Sequence, residues 1–290
     1  MYQFVLTSQE QKRLLGKALA QIEVIKKAYQ NGIIGLPLCT TNGFLIEELT
    51  GMKIEEKGRY ACGIISSSNL CRVNKSLPSI LIRKGEVIEL RMGGLADYIS
   101  DMGKNDVVVK SGNALDPDGN AACLIASPRG GILGEILSQI WYKGIKLIVP
   151  MTFNKLISFR ISKLMKFMGV DKIDHADGAF SSLMPLHGEV FTPVNAIEVL
   201  TGSEAITMAA GGINRAEGAT VFLAKGDSLQ LKNTRKIIEE IKGEPPLRTK
   251  TYDCIKCGKT EPVICKYQNR KINELPTWLQ EEKVISISRT

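Results

Sequence analysis

The sequence DVVVKSGNALD at residues 106–116 places three consecutive valines before a lysine and a turn-forming segment that ends in Asp116. A continuous β-branched run bounded by turn residues is typical of a strand that is buried on both faces. The same order of a short apolar run, a turn and a helical pattern recurs at residues 33–49, 121–143 and 146–168. Strands that alternate with helices predict an α/β fold with a mainly parallel, Rossmann-like sheet and helices on both of its faces.

Local patterns predict where several helices and strands begin and end. Ser8 followed by Gln11 has the spacing of a capping box, and apolar residues at helical spacing follow as far as residue 25. We therefore expect one helix that ends at Asn31-Gly32. Residues 95–102 and 155–168 are predicted to be helices, and residues 60–65 a strand.

The composition and length indicate one large domain with a small appendage. Of the 290 residues, 44% are hydrophobic and 23% are charged, as in ordinary globular proteins. The sequence Glu244-Pro245-Pro246 marks a boundary. We expect an α/β ligand-binding domain at residues 1–246 and a basic, cysteine-containing tail at residues 247–290.

Charge and cysteine usage indicate the compartment and the kind of partner. No apolar run approaches the length of a membrane span, no signal peptide is evident, and the seven cysteines are an odd number, which predicts a cytoplasmic protein. The net charge of +8 fits either an anionic partner or simple solubility. The predicted partner is a small anionic metabolite, with no membrane association, and a homo-oligomer is an open alternative.

The loops that follow the predicted strands form the candidate site, because ligands of parallel sheets bind at the carboxyl ends of the strands. The loop CTTNG at residues 39–43 combines hydroxyls, an amide and a helix start, which suits a phosphate and equally suits plain helix capping. In the second loop, Asp116 is either a general base or the acceptor of a turn. The third loop, SPRGGILGE at residues 127–135, presents backbone N–H groups and an arginine to an anion.

The candidate residues fall into two groups. The candidate catalytic carboxylates are Asp116 and Glu135. The candidate ligand-binding residues come from the three loops, from the end of a later strand and from the glycines between the last two predicted strands: Thr40, Thr41, Asn42, Gly43, Gly112, Asn113, Arg129, Gly130, Gly131, Lys155, Gly211 and Gly212.

Three short segments carry a resemblance to a known superfamily: the turn at residues 111–116, the strand and loop at residues 147–154 closed by Lys155, and Thr40-Thr41. They resemble the sugar-phosphate sensors of the deoxyribose-operon repressor type, which share a fold with ribose-5-phosphate isomerase, glucosamine-6-phosphate deaminase and CoA transferases. The resemblance implies that fold and a phosphorylated sugar or a CoA ester as ligand. Ser111 and Ala114 stand where the isomerase has aspartates, so isomerase or transferase activity and a non-catalytic sensor are alternatives.

The tail contains a pattern typical of a metal site. Cys254 and Cys257 are separated by two residues and followed by glycine, the shape of a zinc knuckle, and Cys265 follows as a third thiol. The predicted metal is zinc, with an iron–sulfur cluster as second choice, and the sequence identifies no fourth ligand. Ordinary reduced cysteines in a basic tail are the alternative.

A nucleic-acid-associated protein is a further alternative, which would use the basic helix at residues 232–242 together with the cysteine tail. The sequence has no helix-turn-helix pattern and few aromatic residues for base stacking, which argues against it.

Overall fold

The computed structural model describes residues 1–66, 69–91, 94–251, 254, 257 and 265–280. The helices assigned within these residues are α1 (Ser8–Leu19), α2 (Glu23–Asn31), α3 (Thr40–Thr50), α4 (Leu95–Tyr98), α5 (Gly131–Lys143), α6 (Ile161–Leu164), α7 (Pro193–Thr201) and α8 (Ser228–Ile241). The strands are β1 (Tyr2–Leu6), β2 (Ile33–Leu36), β3 (Gly63–Ser66), β4 (Asn69–Arg72), β5 (Ser79–Arg83), β6 (Glu86–Leu90), β7 (Val107–Val109), β8 (Ala114–Leu115), β9 (Ala121–Ile125), β10 (Lys146–Pro150), β11 (Ser182–Leu186), β12 (Glu189–Phe191), β13 (Glu204–Gly211) and β14 (Ala219–Lys225).

The largest sheet has six strands in the order β12-β10-β7-β2-β5-β6. The first four strands pair in parallel, whereas β5 pairs antiparallel with both β2 and β6. The chain is therefore an α/β protein whose main sheet is mixed.

The three valines of β7 show why this strand lies at the centre of the sheet. Val107 and Val109 face one core together with Ile34, and Val108 faces a second core on the opposite side together with Leu147. Helices α1, α3 and α7 cover the first face, and α4 and α5 cover the second. Each side chain of this size contributes roughly 1.5–3 kcal/mol when fully buried, so both faces of the strand stabilise the sheet.

Two smaller three-stranded sheets and a hairpin complete the chain. The first sheet has the order β1-β14-β13, the second has the order β11-β9-β8, and β3 pairs with β4. Within the described ranges, no helix has both the length and the hydropathy needed to cross a bilayer.

The predicted capping box lies one residue too late in the sequence. Thr7, not Ser8, caps α1: its backbone N–H donates to Glu10 Oε2 at 2.8 Å, and the N–H of Glu10 donates to Thr7 Oγ1 at 3.3 Å. Gln11 is fully buried, and its side chain is not part of the capping box of α1. Its side chain donates to Thr220 Oγ1 at 3.2 Å and accepts from the N–H of Phe153 at 3.0 Å, so it joins the first helix to two distant segments.

Other predicted boundaries are also wrong. The single helix expected to reach residue 31 is divided into α1 and α2, because Ile22 is extended and α2 starts anew after it. The helix expected at residues 155–168 is reduced to α6, whose first N–H, that of Ile161, donates to Asp116 Oδ2 at 2.9 Å. The helix expected at residues 95–102 ends at Tyr98, and the strand expected at residues 60–65 begins at Gly63.

Candidate functional site

The carboxyl ends of three neighbouring parallel strands meet at one edge of the main sheet. Strand β2 leads into residues 37–43, β7 into residues 110–113 and β10 into residues 151–155. Parallel strands present their following loops on the same side of a sheet. Two of the three predicted glycine-rich loops, at residues 39–43 and 111–116, are therefore adjacent.

Cys39 is at the N-cap of α3 and makes no side-chain capping hydrogen bond there. The N–H of Asn42 donates to the carbonyl oxygen of Cys39 at 2.9 Å, and the backbone N–H groups of Asn42 and Ser111 are close enough to the thiol to lower its pKa. The thiol is 6% exposed. The first helix turn after β2 and the loop after β7 thus share one buried sulfur atom.

The side chain of Asn42 links the same two loops, but only its nitrogen has hydrogen-bond partners among the described residues. Its Nδ2 donates to the carbonyl oxygens of Pro37 and Val109, each at 2.8 Å. Its Oδ1 and the hydroxyl of Thr41 are buried, and neither has a hydrogen-bond partner among the described residues. A buried polar atom left unpaired costs about 1–3 kcal/mol, so these two atoms are candidates for contact with a ligand.

Lys155 reaches the site from the loop after β10. Its Nζ donates to Ser111 Oγ at 2.7 Å and to the carbonyl oxygen of Gly112 at 2.8 Å. Burial lowers the pKa of Lys155, and the neighbouring charge of Lys110 lowers it as well, while Cys39 acts in the opposite direction. Lys155 is therefore oriented by two neutral acceptors in a surrounding that is already positive.

Lys12 enters the site from α1 and is 9% exposed. No described residue accepts a hydrogen bond from its Nζ. Burial and the positive charge of Lys155 lower the pKa of Lys12 to about 7, although Cys39 raises it. No carboxylate contributes to the pKa shift of either lysine.

The thiol of Cys39 responds to these positive charges. Burial raises its pKa, but Lys110 and Lys155 lower it, as do the two backbone N–H groups, and the net direction is downward. We call Lys12, Lys110 and Lys155, grouped around Cys39, the basic cluster. Even with the thiol ionised, one negative charge faces three lysines, so the cluster suits an anionic ligand.

Of the candidate residues on the first two loops, Gly112 contacts the basic cluster directly, because its carbonyl oxygen accepts from Lys155 Nζ. Gly112 is required because a Cβ there would overlap the carbonyl oxygen of Ala122. Asn113 Oδ1 accepts from the N–H of Leu124 at 3.0 Å and so holds β9 against the loop. Gly43 packs against the side chain of Lys57.

Asp116 occupies a structural position. Its Oδ1 accepts from the N–H groups of Asp118 at 3.0 Å and Asn120 at 2.8 Å, and its Oδ2 accepts from that of Ile161. Burial raises its pKa, but these hydrogen bonds lower it and give a net lowered value. The carboxylate closes a turn and starts a helix, which is the alternative that sequence reasoning had left open.

The third loop is not joined to the basic cluster by any hydrogen bond or ion pair of the described residues. Gly130 and Gly131 have positive φ angles of 72° and 59° and start α5. Arg129 and Glu135 are exposed. The structure therefore brings together two of the three predicted loops.

Gly211 is the exposed last residue of β13, and Gly212 begins the exposed connection to β14. Gly218 in the same connection is so close to Asn154 that a Cβ there would lie 2.8 Å from Asn154 Cβ. This connection therefore borders the loop that carries Lys155.

The cysteines of the tail are well away from the strand ends in the topology. Cys254 and Cys265 pack beside the small apolar cluster of Tyr267, Leu275 and Leu279. Among the described residues, no group of three or more His, Cys, Asp or Glu side chains could hold a metal ion. A cleft of 730 Å³ adjoins this unit, and its lining includes His175 and Cys265.

Sequence reasoning missed Lys12 and did not assign roles to Cys39 and Lys110. A signal for Lys12 was present, because it shares the apolar face of α1 with Leu15 and Leu19, three and seven residues later. A charged residue on an apolar helical face is expected to have a specific buried environment.

No protein-family model, curated protein or solved structure matches the chain.

Proposed function

We propose that the protein binds a small anionic metabolite, a phosphorylated sugar or a CoA ester, at the basic cluster. The observation that carries this proposal is Lys12, whose side chain is largely buried beside Lys155 and whose Nζ has no hydrogen-bond acceptor and no carboxylate partner among the described residues. Burial of an unpaired charge is costly, and proteins retain it where a partner binds. A phosphate or carboxylate would supply that partner.

The start of α3 adds uncharged contacts to the same ligand. Helix N-termini present N–H groups to anions. The hydroxyl of Thr41 and the amide oxygen of Asn42 lack partners there, so they fit the hydroxyl groups of a sugar or the N–H groups of a CoA ester. An anion at this position also opposes the effect of Lys155 on Lys12 and raises the pKa of Lys12.

The proposal also includes a more specific description of the fold. We propose a Rossmann-like arrangement related to the ribose-phosphate-isomerase and CoA-transferase superfamily. It is supported by Thr40-Thr41 at the start of α3 and by Lys155 after β10, both at the carboxyl ends of parallel strands. Since Asp116 is committed to a turn, the arrangement favours a binding or sensor role over isomerisation with Asp116 as the base.

Calorimetry with ribose 5-phosphate and acetyl-CoA, and with uncharged ribose as a reference ligand, tests the proposal. We expect at least one of the two anions to bind and ribose to bind more weakly. Lys12→Met should lower the affinity about tenfold, which is about 1.4 kcal/mol. The control is Lys26→Met, which removes one positive charge from the exposed surface of α2 and should leave the affinity unchanged.

Failure of both anions to bind at millimolar concentration would contradict the proposal. Equal losses of affinity in the Lys12 and Lys26 variants would show that net charge, and not the basic cluster, attracts the ligand.

A further inference from the structure

The hairpin β3–β4 lies next to the start of the C-terminal segment. Val73, just after β4, forms an antiparallel bridge with Thr251, and the N–H of Asn74 donates to the carbonyl oxygen of Lys250 at 2.7 Å. Thr251 is three residues before Cys254. The chain thus runs from this bridge into the first pair of tail cysteines.

The other end of β4 is linked to Cys265 through a third segment. Leu70 pairs with Gly178, and the N–H of Ala179 donates to the carbonyl oxygen of Leu70 at 2.9 Å. Ala179 in turn forms an antiparallel bridge with Cys265. Cys71, which follows Leu70, therefore lies in the strand that is separated from Cys265 by a single intervening segment.

The tail cysteines are near one another in the fold. The N–H of Asn269 donates to the carbonyl oxygen of Cys254 at 3.1 Å, which joins the turn after Cys265 to the first cysteine pair. The phenol of Tyr267 donates to Asp177 Oδ1 at 2.7 Å and fastens that turn to the intervening segment.

The electrostatic surroundings of Cys265 support the same grouping. Burial raises the pKa of Cys265, and the thiols of Cys254, Cys257 and Cys71 raise it further, so all three are within electrostatic reach. The N–H of Tyr267 donates to the sulfur of Cys265. Hydrogen bonds of this kind orient and stabilise the thiolate ligands of metals.

We propose that Cys71 is the fourth ligand of a tetrahedral zinc ion that is also bound by Cys254, Cys257 and Cys265. The four thiols come from β4 and from the C-terminal segment, so the metal fastens that segment to the hairpin β3–β4. Four thiolates and one Zn²⁺ carry a net charge of −2, and the positive charge of Lys266, which follows Cys265 directly, offsets part of it. Since no group of three or more His, Cys, Asp or Glu side chains among the described residues could hold a metal ion as it stands, the proposal requires the four thiols to move closer together as zinc binds.

Two neighbouring residues are competing candidates for the fourth position. His175 lines the cleft beside Cys265. Cys62 lies near the same hairpin but is exposed, and its sulfur is 4.0 Å from Arg72 Nη2. Both serve as matched controls for Cys71.

The experiment uses the full chain, purified under reducing conditions without chelator. Elemental analysis should find close to one zinc per chain. Replacement of zinc by cobalt(II) should give the absorption spectrum of a four-sulfur tetrahedral site. Cys71→Ser should weaken zinc binding by at least about 100-fold, the upper end of the loss caused by removing an outer-shell partner, and convert the cobalt spectrum to that of a three-sulfur site. Cys62→Ser and His175→Ala should leave both unchanged.

Less than about a tenth of an equivalent of zinc, or iron with acid-labile sulfide in its place, overturns the proposal. So does a three-sulfur, one-nitrogen cobalt spectrum of the unaltered protein, a measurement that does not depend on any variant folding. An unchanged zinc affinity in Cys71→Ser, or a loss in His175→Ala, also overturns the assignment of Cys71.

Discussion

Lys12 has an unusual energetic role, because its side chain is buried beside a second lysine and no carboxylate among the described residues contributes to its pKa shift. Its pKa is lowered from 10.5 to about 7. The unfolded chain therefore binds the proton of Lys12 more tightly than the folded chain does. Under this condition the free energy of unfolding rises with pH between the folded and the unfolded pKa values.

We expect Lys12→Met to stabilise the protein most strongly below pH 7, where Lys12 is charged in both the folded and the unfolded state. The shift between 10.5 and about 7 corresponds to a maximum gain of about 3–5 kcal/mol. The gain should shrink as the pH rises through the window between these pKa values, and should vanish above it. Urea denaturation near pH 6 and near pH 9.5 measures the difference.

Lys26→Met is the matched control, because this exposed lysine on α2 has no burial penalty to remove. It should change the free energy of unfolding by less than about 0.5 kcal/mol at either pH. An equal gain for Lys12→Met at both pH values would mean that hydrophobic burial, and not the relief of a charge, stabilises the variant.

At the scale of the elements, the basic cluster depends on how closely α1 and α3 approach. The two helices cross at Gly16, where a Cβ would lie 2.8 Å from Phe44 Cβ and 2.9 Å from the backbone carbon of the same residue. α1 carries Lys12 and α3 begins at Cys39. The small residue at the crossing therefore sets the separation of two groups in the candidate site.

Gly16→Ala has two opposing effects on stability. Alanine is favoured over glycine in a helix by about 1 kcal/mol, but the overlap with Phe44 forces the helices apart at a cost of about 1–3 kcal/mol. The overlap involves backbone atoms that cannot rotate away, so we expect a net loss of about 1 kcal/mol and weaker anion binding. Thermal unfolding measures the change in stability. Calorimetry with whichever of ribose 5-phosphate and acetyl-CoA binds the unaltered protein measures the change in affinity.

Gly103→Ala is the control, because a Cβ at that position has no atom within 4 Å. It should change neither the midpoint of unfolding nor the affinity. A Gly16→Ala protein that is more stable and binds the anion normally would show that the helices separate without cost.

At the scale of the whole molecule, a network of ion pairs fastens the end of the α/β unit to its first helix. Arg13 pairs with Glu47 at 2.7 Å and with Glu244 at 2.8 Å, and Lys57 reaches Glu47 at 2.9 Å. The side chains of Arg13, Glu47 and Glu244 are each less than a fifth exposed. Residues from three parts of the chain that are distant in sequence thus form one network of ion pairs.

Arg13→Met should destabilise the protein by about 3 kcal/mol at neutral pH, because it removes the shortest ion pair of Glu244 and one of the two basic partners of Glu47 among the described residues. Burial raises the pKa of Glu47, but its hydrogen bonds and its basic neighbours lower it below 4.5. A lowered carboxylate pKa contributes stability that is complete above the unfolded value and is lost as the pH falls. The variant should therefore lose less stability on acidification than the unaltered protein does.

Urea denaturation at pH 7 and pH 4 tests this prediction, with Arg235→Met as the control. Arg235 forms an exposed pair with Glu239 on α8, which contributes little in water. Similar small changes for both variants would show that the buried network does not fasten the chain.

The prediction of the fold from sequence was good where short-range patterns decide the structure. The three valines at residues 107–109 form a strand buried on both faces, and the helices α5 and α8 lie close to their predicted positions. Periodicity over a few residues is enough for such elements, since each residue faces a core that its own neighbours also face. The predicted boundaries were wrong where a side chain bonds with residues that are distant in the sequence. The side chain of Gln11, for example, forms hydrogen bonds with Thr220 and Phe153 and is not part of the capping box.

By itself, the sequence determined the α/β class, the central strand and the loops that follow parallel strands, because all of these depend on neighbours along the chain. Only the tertiary structure decided which of those loops meet, that Lys12 lies beside Lys155 and Cys39, and that the strand of Cys71 is separated from Cys265 by a single segment. Each of these contacts joins residues that are far apart in the sequence and that folding brings together. Burial then changes their chemistry, since a lysine in water keeps its ordinary pKa and one enclosed beside another lysine does not.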